Sequence, residues 1–159
     1  MPINITTLSN TIPESDAIPE QAKKLKNTKK KIENKNTPVS FTYKNLTTNP
    51  EAINIAYDDL IKDHIECAFI DFRRVFTGKT PEKKIVWKGD VSELYYFIKL
   101  LYTEYKVLGD LKQMHWKIVA NCFIFQNDEK IVPSNIRIQK KPIAEKKATF
   151  IEKVAKRFI

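Results

Sequence analysis

Glycine is scarce in this sequence, with only three residues in 159. Loops that cradle phosphate groups or expose a catalytic nucleophile depend on glycine, because their backbone adopts positive φ or approaches a ligand closely. The glycine patterns of dinucleotide-binding sites, P-loops and nucleophile elbows are all missing from the chain. The sequence therefore disfavours a nucleotide-binding enzyme and a serine hydrolase.

Cysteine and histidine are equally rare, with two residues of each. Cys67 and Cys122 form neither a CxxC motif nor a disulfide framework, which favours a reducing cytoplasm. His64 and His115 each lie alone within an apolar pattern, where histidine is usually a residue of the core edge. We therefore expect no metal site, no cofactor, no small-molecule substrate and no enzymatic activity. No apolar run approaches the roughly 20 residues of a membrane span, so we expect no membrane partner either.

Charge is what the sequence has in excess. The net charge is +9 and the isoelectric point is near 9.4, which favours a polyanionic partner, with nucleic acid first and an anionic membrane surface second. From residue 137 onwards, eight lysine and arginine residues stand against two glutamates, so this stretch holds six of the nine net charges. Such a cluster supplies salt-dependent affinity for DNA by releasing condensed counterions.

Composition divides the chain into three segments. Residues 1–48 are rich in lysine, threonine and asparagine and have few large apolar groups, so we expect a disordered, lysine-rich tail. Residues 49–78 begin with an apparent cap at Asn49-Pro50 and carry apolar residues at spacings of three and four from Ile53 to Phe76, which predicts one long amphipathic helix. Residues 79–159 are predicted to form a helical DNA-binding domain.

The elements of this last segment indicate a mainly α fold. Residues 84–87 are predicted to form a short strand, and Asp90 and Glu93 a capping box for a helix at the centre of the core. A third helix follows from Leu111. Its end leaves two alternatives, because residues 122–125 and 136–138 could pair as a hairpin, or the helix could continue and a new helix open at Pro133. A final helix is predicted from Pro142.

Several short motifs between Lys84 and the end of the chain resemble the C-terminal part of the RteC family, regulators of Bacteroides-type conjugative transposons. The motifs are Lys84 to Asp90, Glu93 to Ile98, Ile136 to Lys141 and Phe150 to Lys153. The resemblance implies a helix-turn-helix or winged-helix domain and a role in transcription control within a mobile element. It singles out Arg137, Lys140 and Lys141 as the matching basic run.

Residue chemistry divides the candidate contacts into two kinds. Arg137 and Gln139 are of types that contact base edges, since arginine pairs with guanine and glutamine with adenine. Lys140, Lys141, Lys146 and Lys147 suit phosphate contacts, which position a protein without specifying sequence. In the helix-turn-helix interpretation, the third helix and the segment around Arg137 pack on the central helix and present three further residues to a groove. These are Lys112, Gln113 and Lys117.

Two functions are consistent with these features. The first is a DNA-binding transcription regulator, which could act as a homodimer. The alternative is a helical protein–protein interaction module without nucleic-acid binding, in which the acidic-then-basic helix over 50–76 docks a partner and the lysines only aid solubility.

Overall fold

A computed structural model describes residues 37–159, and residues 1–36 of the tail predicted over 1–48 lie outside them. Residues from Pro38 to Ile159 form one compact unit, mainly helical with a small three-stranded sheet. Its six α-helices are α1 (Ala52–Leu60), α2 (Phe69–Val75), α3 (Val91–Lys99), α4 (His115–Cys122), α5 (Pro133–Arg137) and α6 (Glu145–Ala155). Its strands are β1 (Ile65–Glu66), β2 (Ile85–Trp87) and β3 (Phe123–Phe125).

The folded unit begins earlier than the predicted boundary after residue 48. Phe41 and Tyr43 are buried in the core. The Phe41 N–H donates to the carbonyl of Val75 at 2.8 Å, and the Tyr43 hydroxyl donates to the carbonyl of Phe158 at 2.9 Å. Two aromatic residues in a polar stretch therefore add about ten residues to the domain, because each buries a large apolar area.

The single long helix predicted over residues 49–78 is wrong. The chain forms α1, then β1, then α2, because buried Ile65 pairs with Trp87 of β2 and takes the backbone out of the helix. The capping prediction at Asn49 also fails, since α1 has Glu51 at its N-cap position and the Asn49 side chain donates to the carbonyl of Arg157. Apolar spacing alone could not show this, since a strand of two residues leaves the pattern of three and four almost intact.

The sheet has the order β1-β2-β3. β1 and β2 are antiparallel, whereas β2 and β3 are parallel, with Ile85 opposite Phe123 and Trp87 opposite Phe125. The prediction of a strand over residues 84–87 is confirmed. The hairpin between residues 122–125 and 136–138 does not form, because β3 pairs with β2 and residues 136–137 belong to α5. The helix at Pro133 is confirmed, but α4 ends at Cys122 and does not continue as that alternative expected.

Helix α3 forms the centre of the core, as predicted. Its capping box is present, with the Asp90 N–H donating to the Glu93 carboxylate at 3.0 Å. The helix continues as a π-turn over Leu100–Glu104. The ring of Phe97 lies 6.2–6.5 Å from three other buried aromatic rings, which belong to Phe76, Trp87 and Phe158.

Helix α6 covers one side of α3 with its apolar face. The buried residues are Ala148, Ile151, Val154 and Ala155, which confirms the predicted apolar stripe at these positions. The helix begins at Glu145, three residues after the predicted start, because Pro142 is buried while Ile143 and Ala144 are exposed in an extended lead-in. Between residues 37 and 159, every helix is too short or too polar to cross a lipid bilayer.

Replacement of Phe97 by alanine should lower the free energy of unfolding by about 3–5 kcal/mol, because it leaves a cavity among three aromatic rings. Chemical denaturation followed by tryptophan fluorescence measures this change. Ile143→Ala is the control and should change the free energy by less than about 0.5 kcal/mol, since that side chain is fully exposed. Equal effects of the two substitutions would contradict the assignment of the core.

Candidate nucleic-acid interface

The outward face of α6, continued by the 3-10 turn over Lys156–Phe158, carries three lysines and is bordered by Glu145 and Glu152. Lys146, Thr149, Lys153 and Lys156 recur at spacings of three and four, so they share the side opposite the buried stripe, and all four are exposed. None of the three lysines forms an ion pair with any residue of the described range 37–159. Glu152 lines a surface pocket with Thr149, Lys153 and Lys156, and it accepts hydrogen bonds from Tyr96 and Lys141. We call this set the α6 cationic face.

Two other lysines of the basic region already have carboxylate partners. The Lys147 ammonium group donates to Asp90 and lies 3.8 Å from Glu93, so it joins the start of α6 to the start of α3. Lys141 lies 3.1 Å from Glu152 and 5.2 Å from the centre of the Tyr96 ring. These hydrogen bonds, to Asp90 and to Glu152 respectively, raise the pKa values of Lys147 and Lys141. Both were predicted to contact phosphate, and within the domain each pairs with an acid.

A groove next to the start of α6 gathers four of the sequence-predicted residues. It has a volume of about 560 Å³ and is flanked by the chain from Ile138 to Ala144, with Asp90 and Ser92 of the α3 start opposite. The sequence-predicted residues in its lining are Gln139, Lys140, Lys141 and Lys147. Lys140 is exposed and has no ion pair within the described residues, whereas the Gln139 side chain donates to the carbonyl of Asn135 at 3.2 Å.

The remaining sequence-predicted residues lie on other elements. Lys112 and Gln113 form a turn before α4, which begins at His115 and not at Leu111 as predicted. Lys117 is exposed on α4, and Arg137 is the exposed last residue of α5. Both segments pack on α3 as predicted, since Trp116 stacks on Tyr95 with ring centres 5.3 Å apart and α5 contacts α3. No hydrogen bond or ion pair between described residues joins the turn to the groove.

Both histidines pack against aromatic side chains of the domain. His64 lies 2.7 Å from Glu93, which is 2% exposed, and its ring stacks on Phe150 at 4.5 Å. His115 stacks on Tyr102 at 4.2 Å, and burial lowers its pKa, which keeps the ring neutral at pH 7. Among the residues from 37 onwards, no group of three histidine, cysteine, aspartate or glutamate side chains could hold a metal ion.

Lys153 and Lys156 are the candidate contacts that the sequence-based site left out. Both belong to the basic stretch, but the prediction favoured the run around Arg137 because of its base-reading residue types. The signal that identifies them is the helical spacing from Lys146, read against the apolar stripe of the same helix. No protein-family model matches the chain, and no curated protein and no solved structure is similar to it.

Lys146 and Lys147 are adjacent in sequence, but only Lys147 has carboxylate partners within the described residues. Replacement of each by methionine should therefore change thermal stability to different extents. Lys146→Met should leave the Tm unchanged, because its ammonium group forms no ion pair within the described residues. Lys147→Met should lower the Tm, because Asp90 and the buried Glu93 lose a cation. Thermal unfolding measures both values. The same effect from both variants would contradict the assignment.

Proposed function

We propose that this protein binds DNA by seating the α6 cationic face on the phosphate backbone. The observation that supports the proposal is the row of three exposed lysines, Lys146, Lys153 and Lys156, along α6 and the turn that follows it, none of which forms an ion pair within the described residues. Lys147, by contrast, pairs with Asp90 and lies 3.8 Å from Glu93. Because Lys146, Lys153 and Lys156 form no ion pair within residues 37–159, they are available to bind an external polyanion.

Lys140 and Arg137 extend the contact beyond α6. Lys140 lies on the groove wall that leads into the helix, and Arg137 ends α5 three residues earlier. Together with the three helix lysines they provide five cations for phosphate or base contact. Five phosphate contacts correspond to a slope of about −4.5 in a plot of log K against log salt concentration.

The proposal includes a regulatory role in a mobile element, which the resemblance to the RteC family supports. In that role the domain is of helix-turn-helix or winged-helix type, with α4 and α5 packed together beside α3. The cysteine usage favours a cytoplasmic location. The protein carries out no catalysis in this proposal, because its histidines and buried acids serve packing and helix capping.

A salt titration tests the phosphate contacts. The wild-type chain, titrated on a labelled 20-base-pair duplex between 50 and 300 mM KCl, should give a slope of about −4.5. Replacement of Lys146, Lys153 and Lys156 by glutamine should reduce the slope to about −2, since three counterions fewer are released. Fluorescence anisotropy gives both values.

The control for this titration removes three exposed lysines elsewhere in the chain. Replacing Lys62, Lys79 and Lys83 by glutamine lowers the net charge by the same amount but leaves α6 and the groove intact. This variant should keep a slope near that of the wild type. A slope near zero for the wild type would refute the proposal, and equal losses for the two triple variants would refute the role of α6.

A second candidate function is protein interaction in the form of a homodimer. The observation that favours it is the exposure of two isoleucines in the lining of the groove, since Ile138 is 71% exposed and Ile143 is fully exposed. A second copy of the chain that covered these side chains would gain about 1.5–3 kcal/mol from each.

Sedimentation velocity from 2 to 200 μM tests the dimer. The wild type should shift from monomer to dimer over this range, and Ile143→Ser should shift the transition to a concentration roughly tenfold higher. Ile53→Val, a conservative change in the buried face of α1, is the control and should leave the transition in place. A monomer at every concentration would exclude this function.

A further inference from the structure

The turn from Leu111 to Met114 has an unusual backbone for its sequence. Its two central residues, Lys112 and Gln113, have φ values of +48° and +72°. The Met114 N–H donates to the carbonyl of Leu111 at 2.9 Å and closes the turn. Positive φ at both central positions is the pattern of a type I′ turn, in which glycine, asparagine and aspartate predominate. Lysine and glutamine are unfavourable in that conformation because of their Cβ atoms.

A second pair of residues with positive φ in the same domain consists of types that favour this conformation. Asn127 and Asp128 follow β3 with φ values of +65° and +61°. Asparagine and aspartate tolerate this region, because their short polar side chains can form local hydrogen bonds. The chain therefore uses suitable residues at one turn and unsuitable ones at the other.

Three contacts hold the strained turn in place. The Lys112 N–H donates to the Asp110 carboxylate at 2.9 Å, and the Leu111 N–H donates to the Tyr102 hydroxyl at 3.0 Å. The Tyr102 ring in turn stacks on His115, the first residue of α4, at 4.2 Å. The turn is thus fixed to the π-turn on one side and to α4 on the other.

The side chains of Lys112 and Gln113 take no part in these contacts. Both are exposed, and neither forms a side-chain hydrogen bond or an ion pair with a residue of the described range. Lys112 attracts the Asp110 carboxylate across the turn, but neither side chain supplies a hydrogen bond that would offset the strain. Strain that the surrounding structure maintains in this way is characteristic of residues that contact a ligand.

We infer that Lys112 and Gln113 form a preorganised recognition turn that contacts adjacent purine edges in the major groove of DNA. This inference rests on the proposed function, since the α6 cationic face supplies the affinity while the turn supplies sequence preference. Glutamine pairs bidentately with adenine and lysine with the acceptors of guanine, so the preferred site contains neighbouring adenine and guanine. A fixed backbone suits this task, because it lowers the entropy that the two side chains lose on binding.

A double substitution separates recognition from folding. Lys112→Asn together with Gln113→Gly creates the Asn-Gly sequence that type I′ turns favour, so the Tm should stay the same or rise by up to about 3 °C. The wild type and the variant are each used to select sites from a library of random 20-base-pair duplexes, and anisotropy then gives the affinities for selected and scrambled duplexes. The wild type should prefer its selected site by tenfold or more, and the variant should lose about that factor.

The control variant is Asn127→Gly together with Asp128→Gly, which changes the other left-handed pair and should keep the wild-type preference. Retention of the adenine–guanine preference in the Lys112/Gln113 variant overturns the inference. So does a wild type that binds every duplex equally, a result that leaves the phosphate-binding proposal intact. Failure of the wild type to bind any duplex at 50 mM KCl refutes the proposed function itself.

Discussion

The packing of α6 on α3 is the constraint on which the candidate interface depends. Ala148, Ile151, Val154 and Ala155 are buried on the inward side of α6, and that burial fixes the rotation of α6 about its own axis. With this rotation, Lys146, Lys153 and Lys156 are exposed to solvent. The composition of a single helix thus determines both the core contact and the charged face.

Electrostatics divides the basic residues of the C-terminal region into two groups. Lys141, Lys147 and Arg157 each lie within 4 Å of a carboxylate of the same domain, and the partners of Lys147 include the cap of α3. The other cations from Arg137 onwards lack such partners within the described residues. The ion pairs of the first group help to hold α6 and its lead-in against the rest of the domain. The cations of the second group are available to a ligand. Net charge alone could not make this distinction, because it counts both groups equally.

Periodic features of the sequence predicted much of the fold. The buried residues of α3 and α6, the capping box at Asp90 and the strand at residues 85–87 all follow from local patterns, and each is present. Features that depend on distant partners were missed. The break between α1 and α2 exists because Ile65 pairs with Trp87, and the strand considered over residues 122–125 pairs in parallel with β2 and not with residues 136–138.

The candidate site was predicted to a similar extent. The basic C-terminal region follows from composition, and four of its predicted residues do meet in one groove. The ion pairs of Lys141 and Lys147 could not be foreseen, since Glu152 and Asp90 become their neighbours only after folding. Nor does local sequence predict the left-handed turn at Lys112 and Gln113, because these residue types disfavour it.

The most direct test of the central claim is a lysine footprint of the protein with and without duplex DNA. Brief acetylation followed by mass spectrometry reports the reactivity of each lysine in the same sample. The account predicts that DNA protects Lys146, Lys153 and Lys156 several-fold while Lys62, Lys79 and Lys83 keep their reactivity. Equal protection of both sets, or protection of neither at a DNA concentration that saturates binding, would contradict it.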